Sequence, residues 1–446
     1  MLLGKKNRNK TVNARRLASI PGFVFILLLI LSFSANSQPL RRLQPKGAYG
    51  KPNIILFAAD NFTFSDLETA LKEKGEFKNI NKIVSEGLFF SRVYTPAPLD
   101  RENRAALLTG IHPVRKPLSE FGALNPQIQT LSQILKNAGY KTGILGVWAL
   151  GENPLQKGFD QWFGYLTAEE ATNNYPPYLW RNDKKWELPE NSSDQKTTLA
   201  HYWFIRTTTN FIRVYREYPF FLYLPSNLPG KVGSVPVTKN PGPQTTKNSI
   251  TDDRKKALKL VDEHLGRLFE YLEYYKLTDK TVLIFTSIVD PGFVLKEESE
   301  KSKPLKDFEK LFHTPMFIFG DGCKPGTNSM LLYTFDLTPT LLELADAAIL
   351  EQIDGAAFTK ALFYPDAVQK QGEILILKVM SKGIQYMAIA DNAVCFLDES
   401  EHWQVIQLNE TTLNDRTTFE LQKIAASALE DLKTDHKRRN QQMNKR

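Results

Sequence analysis

Short uninterrupted apolar runs recur along this chain, each followed by a stretch with helical spacing. The first, NIILFAAD (residues 53–60), ends in an acid, as a buried parallel strand does when its carboxyl end opens on a site. SDLETALKEKG and FKNINKIVSEG then have helical periodicity, and LSQILKNAGYKTGILGVWALG repeats the scheme as a helix stopped at Gly139 and a strand from Lys141. PFFLYLP (219–225), a polar helix over 252–275 and KTVLIFTS (280–287) form another such unit. PMFIFGDG (315–322) adds a strand, and FDLTPTLLELADAA a helix started around Asp336–Pro339. The alternation predicts an α/β fold, with a large mostly parallel sheet sandwiched by helices.

Beyond about residue 360 the texture changes. ILILKVMS, IQYMAIAD, NAVCFLD and WQVIQL read as short antiparallel strands, followed by one amphipathic helix, FELQKIAASALEDLK. The predicted division is therefore a main domain over 51–360, a small C-terminal α+β subdomain over 361–432 and a basic tail over 433–446, expected to be frayed and solvated. PGKVGSVPVTKNPGPQTTKN reads as a long surface loop near the carboxyl edge of the sheet.

Composition adds little until the two ends are set aside. With 42% apolar and 24% charged residues the chain is neither disordered, collagen-like nor a multi-span membrane protein. The net charge of +8 suggests a polyanion partner, but six basic residues and no acid precede residue 38, which leaves +2 for the remainder. Nucleic acid is excluded as a first reading. FVFILLLILSF (Phe23–Phe33), followed by Ala35 and Ser37 spaced for cleavage near Gln38, reads as a secretory signal peptide over 1–37, with a polar linker over 38–50. A secreted or periplasmic location follows. An uncleaved signal anchor is the alternative, and only that reading brings membrane contact. Cys323 and Cys395 are the only cysteines, left open as a disulfide or as two separately buried thiols.

Nine stretches in order carry a resemblance: KPNIILFAADN, NINKIVSEGLFFSRVYTPAP, RAALLTGIHP, LKNAGYKTGILG, KGFDQWFGY, NNYPPYLWRN, PFFLYLP, LTDKTVLIFTS and HTPMFIFGDG with DLTPTLLELA. From Lys51 to about Leu432 the chain resembles the sulfatase family of the alkaline-phosphatase-like superfamily. The resemblance implies sulfate-ester hydrolysis by a formylglycine made from the first residue of C/S-x-P-x-R. It also implies a calcium ion held by acidic and amide side chains, and lysines and histidines that stabilise the anion and protonate the leaving oxygen. A sulfate monoester is an anion, so such a site needs fixed positive charge and a nucleophile that a hard cation helps to ionise.

Against that pattern this chain has Asp100-Arg101-Glu102-Asn103-Arg104, in which only Arg104 matches. Aspartate has no thiol or hydroxyl to oxidise, so no formylglycine is expected. Asp100 and Arg104 remain as vestigial catalytic positions. A carboxylate nucleophile at Asp100 is the alternative chemistry, and Arg104 reads equally as an anion contact or as a clamp on Asp100. The implied metal ligands reduce to Asp60, Asn61, Asp100 and Asp290, a depleted oxygen cage for Ca2+, with Ile288 and Val289 at two ligand positions. The family's G-K-W-H-L-G becomes Gly146-Val147-Trp148-Ala149-Leu150-Gly151, and a later histidine falls on Gly230; an upstream lysine falls on Pro304, between Lys303 and Lys306. Of the six histidines His112 is the best cleft candidate, with a capping role preferred; Tyr175, Tyr178 and Trp180 read as loop anchors rather than a cleft lining. The expectation is a sulfatase-like protein without family catalysis that binds a sulfated or otherwise anionic saccharide or a protein partner, with an altered hydrolase or transferase as the alternative.

Overall fold

The computed structural model describes residues 50–443 except 117, 119–121, 193–195, 231–247, 293–307, 321, 368–373, 382, 391–392 and 408–414. The predicted leader, nearly all of the linker, the loop after Gly230 and Lys303, Pro304 and Lys306 lie outside the described residues. In chain order the elements are β1 (Asn53–Asp60), α1 (Phe64–Lys72), α2 (Lys78–Glu86), β2 (Leu88–Tyr94), α3 (Asp100–Thr109), α4 (Leu131–Asn137), β3 (Lys141–Val147), β4 (Gln161–Tyr165), β5 (Tyr178–Arg181), β6 (Lys184–Glu187), α5 (Ala200–Tyr215) and β7 (Phe220–Pro229). They continue as α6 (Asn248–Tyr274), β8 (Thr281–Ile288), α7 (Phe308–Phe312), β9 (Met316–Gly320), β10 (Gly326–Tyr333), α8 (Leu337–Leu344), α9 (Thr359–Phe363), β11 (Leu375–Ser381), β12 (Ile384–Ile389), β13 (Ala393–Asp398), β14 (Trp403–Gln407) and α10 (Asp415–Met443).

The large sheet has ten strands in the order β10-β2-β9-β8-β1-β7-β3-β4-β5-β6. The five strands expected from apolar runs lie side by side at its centre, and β8, β1, β7 and β3 run parallel. β9 departs from the parallel expectation, pairing antiparallel with both β8 and β2. β1 is buried along its length up to the partly exposed Asp60, because helices cover both faces. On one face Phe57, Leu222 and Leu283 share a core with Phe204 and Ile212 of α5 and Leu258 and Leu265 of α6.

The four C-terminal strands form their own antiparallel sheet, as predicted, in the order β11-β12-β13-β14. One face, with Leu375, Leu377 and Phe396, packs on Tyr94, Phe312 and Leu331 of the main body. The other, with Ile376, Cys395 and Leu397, packs on Ala425 and Leu429 of α10. Its inner face completes the core beside β2 and β10, and the sheet falls within one compact unit, Pro45–Arg446. The α10 backbone is helical to Met443. Cys323 and Cys395 are not joined in a disulfide. No helix among the described residues is long and apolar enough to cross a membrane.

Candidate functional site

The carboxyl ends of the central strands bring the expected residues together. β1 ends in Asp60, and Asn61 takes a left-handed backbone (φ 53°), a conformation Asn tolerates better than most residues. The Asn61 N–H donates to the Ile288 carbonyl at 2.9 Å, and the Gly230 N–H donates to the Asp60 carbonyl at 2.9 Å, so the exits of β1, β7 and β8 are stitched into one rim. The helix α3, whose first residue is Asp100, meets the same rim. Asn103 fixes that helix: its amide donates to the carbonyls of Ala97 and Val289, each at 3.0 Å, and its oxygen accepts the Ala97 N–H.

Arg104, one turn into α3, is 2% exposed. Its guanidinium lies 3.8 Å from Asp60 and 3.6 Å from Asp100 and donates to the Val147 carbonyl at 3.2 Å. Tyr223 faces it from β7. Burial works against the charge, but Tyr223, Asp100 and Asp60 together hold the Arg104 pKa above its ordinary value. Arg104 is within ion-pair distance of both carboxylates, while its Nε has no hydrogen-bond partner among the described residues. Two carboxylates against one guanidinium leave this point negative, the opposite of what a sulfate oxygen needs.

The donors present do not fit Ca2+. Asn61 Oδ1, its one metal-capable atom, accepts the Asp290 N–H at 2.9 Å, while its amide leans on Asp60 Oδ1 at 3.4 Å. The Arg104 guanidinium is within ion-pair distance of both Asp60 and Asp100. Among the described residues no three acidic, histidine or cysteine side chains are grouped to hold a metal; Asp60, Asn61, Asp100 and Asp290 meet as an ion-paired and hydrogen-bonded rim. Ile288 and Val289, at two further ligand positions, are both buried.

The substituted positions have acquired partners of their own. Glu102 pairs with Lys378 of β11 at 2.6 Å, linking the helix that carries Asp100 to the C-terminal sheet. Arg254 of α6 pairs with Asp66 at 2.6 Å and donates to the carbonyls of Asn61 and Gly230, tying the ends of β1 and β7 to α1. Spacing gives no signal for Tyr223, Arg254 or Lys378, which lie more than a hundred residues from Asp100 along the chain. Lys378→Met is expected to cost about 1–3 kcal/mol, the penalty for a shielded carboxylate left without its partner, and adding Glu102→Gln should return most of it. Urea denaturation midpoints of the two proteins check this, and an unchanged midpoint for Lys378→Met would show the pair to be incidental.

His112, His201 and His264 are buried away from the rim's carboxylates or held in other roles. His112 caps the turn at Pro113–Arg115: its Nδ1 accepts the Val114 N–H at 3.2 Å, and its Nε2 donates to the Ile376 carbonyl at 2.6 Å. The preferred capping role is the observed one. Burial pushes it down to about 4, so it is neutral at pH 7. His201 of α5 and His264 of α6 meet inside the core with ring centroids 5.3 Å apart. Burial pushes His201 down to about 4 and His264 well below its usual value, the latter helped by the charge of His201. Tyr178 and Trp180 both donate to Glu170, at 3.1 and 3.2 Å, and so serve as the expected anchors.

The histidine pair fixes a pH dependence. Both groups take up protons more readily in the unfolded chain, so their contribution is complete above about pH 6.5 and is lost as pH falls toward 4. The melting temperature is expected to drop over that interval, and His201→Leu with His264→Leu should shrink the drop. A variant whose melting temperature fell as steeply as the parent's would contradict the assignment.

Comparison with known proteins agrees with the geometry. The model of the Sulfatase family matches residues 52–347. This chain belongs to the sulfatase family. Human N-acetylgalactosamine-6-sulfatase is 30% identical over 286 residues, covering 57% of this chain and 52% of that protein. Mouse arylsulfatase G is 26% identical over 405 residues, covering 76% and 75%. The chain spans about half the length of the N-acetylgalactosamine-6-sulfatases it matches. Among solved structures, Ps i-CgsB in complex with k-i-k-neocarrahexaose superposes with a TM-score of 0.70 at 23% identity, covering 86% of this chain and 93% of that one. BT4656 in complex with its substrate D-glucosamine-2-N,6-O-disulfate gives a TM-score of 0.65 at 18% identity, covering 87% and 98%. These two likenesses show the fold.

Proposed function

We propose that this sulfatase-family protein binds sulfated saccharides without hydrolysing them by the formylglycine route. The observation that carries the reading is Asp100 at the nucleophile position, ion-paired at 3.6 Å to a buried Arg104 that also faces Asp60. The side chain offers nothing to oxidise, and the guanidinium that a sulfate would need is committed to carboxylates. Val147 and Ala149 stand where the family pattern has lysine and histidine, and each lost donor of that kind removes about a hundred- to a thousandfold in rate. Saccharide binding is supported by family membership and by the sulfated ligands of the relatives, and a secreted or periplasmic setting accords with it.

The test is purification after coexpression with a formylglycine-generating enzyme. Peptide mass spectrometry is expected to find an unmodified Asp100, and an aryl sulfate assay no turnover above the protein-free rate. Turnover that vanishes in Asp100→Ala would instead establish the carboxylate as a nucleophile and replace this reading with an altered hydrolase.

A further inference from the structure

At the β6 edge of the large sheet, the β5–β6 ribbon, the start of β4 and α5 line an open cavity of about 350 Å³, within the usual range for small-ligand sites. Its walls include Trp186 of β6, Trp203, Arg206 and Asn210 of α5, Arg181 of β5 and Gln161 of β4. The two indoles meet at a steep angle, centroids 6.2 Å apart with planes at 63°. Each carries a guanidinium on its ring: Arg181 lies 5.0 Å from the Trp186 centroid and Arg206 5.2 Å from that of Trp203.

Neither arginine has an acidic partner among the described residues, in contrast to Arg104 and Arg254. Trp186 is 37% exposed, unusual for a side chain of that size and apolarity. The polar groups nearby are only partly used: the Gln161 amide donates to Tyr215, which leaves its oxygen, and Asn210 accepts from Arg213, which leaves its amide. An arginine seated over an indole gives up less freedom when it grips an anion, and its planar fork matches the oxygens of a sulfate or carboxylate.

We infer that this cavity is a binding site for a sulfated saccharide, the sulfate held between Arg181 and Arg206 and the sugar ring against Trp186, with the amides of Gln161 and Asn210 meeting its hydroxyls. The assignment rests on the non-hydrolytic, saccharide-binding reading above and gives it a location, since the rim at Asp60 and Asp100 is electronegative. A bare anion would need only the guanidiniums. The exposed aromatic ring and the spare amides suit a ligand that is part ring and part charge.

The test uses the full mature protein and a chondroitin 6-sulfate tetrasaccharide, with the desulfated tetrasaccharide, sodium sulfate and a poly-glutamate peptide as comparisons, read by tryptophan fluorescence and calorimetry. The sulfated tetrasaccharide is expected to bind at least tenfold more tightly than any comparison. R181A/R206A and W186A should each weaken it at least tenfold without shifting the melting temperature, while Asp100→Ala should leave it unchanged. Should R181A/R206A prove poorly folded, R206Q alone serves, with a smaller loss of the same sign. No binding by the parent, unchanged binding in R181A/R206A, or equal binding of sodium sulfate or poly-glutamate would overturn the site. Sulfate release from the tetrasaccharide counts against the non-hydrolytic reading alone, because the arginine variants still decide the cavity.

Discussion

Restoring the family's side chains to this protein is expected to unfold it. The set is Asp100→Cys, Glu102→Pro, Asn61→Asp, Val147→Lys, Ala149→His, Gly230→His, Ile288→Asp and Val289→Asn. Val147 belongs to the main apolar core with Leu145, Phe163 and Tyr165, and Ile288 is 2% exposed. A lysine and an aspartate at these places would be buried without arranged partners, at a cost of several kcal/mol each. Ala149 and Gly230 have φ of 54° and 78°, so two histidines would enter backbone that favours glycine. Glu102→Pro sits in the first turn of α3, where a missing N–H is tolerated, but it removes the Lys378 partner. A domain's whole stability is about 5–15 kcal/mol, so the sum exceeds it. Melting curves with and without calcium decide the matter. No cooperative transition in either is the expected result, and a calcium-dependent return to near the parent temperature would mean that the cavity survives and can still be charged.

What the sequence revealed followed how evenly each element is buried. β1, β3, β7 and β8 have buried, mostly apolar centres because both faces are covered, and each was legible as a run. Gly146 was legible only as part of a motif, yet it has a physical reason: a Cβ there would lie 2.1 Å from the Pro225 carbonyl oxygen, so β3 and β7 could not approach. β5 and β6 were missed. They form a two-stranded ribbon in which Lys184, Lys185, Trp186 and Glu187 are all exposed, and charge at a sheet edge reads as loop. β2 and β10 were missed for a related reason, since LFFSRVY and GTNSMLLY mix polar and apolar positions without a clean period.

The candidate site was legible as a list of places and illegible as a set of interactions. Asp60, Asn61, Asp100, Arg104, Val147, Gly230 and Ile288 do converge, because strand ends in an open sheet share one edge. What each does depends on neighbours distant in the chain. Asn61 lost its role as a free oxygen donor to the backbone of Asp290, 229 residues on. Glu102 found Lys378 at a separation of 276 residues.

Arg104→Met is expected to destabilise the protein by about 3 kcal/mol, the low end of the loss seen when one partner of a buried ion pair is removed. Methionine keeps much of the side chain's volume, so the change falls mainly on charge and on the bond to the Val147 carbonyl. Asp60 and Asp100 would then face each other uncompensated. Both are partly exposed, at 16% and 18%, so solvent moderates the repulsion and the low end is the right choice. Adding Asp60→Asn and Asp100→Asn to Arg104→Met should recover most of the loss, because the repulsion disappears with the charges. Denaturant titration of the parent, the single variant and the triple variant measures the coupling. A single variant within about 0.5 kcal/mol of the parent, the ordinary range for a surface change, would mean that the guanidinium is not holding the rim together. It would then be available to an anion, and the case for a sulfate at the old catalytic edge would reopen.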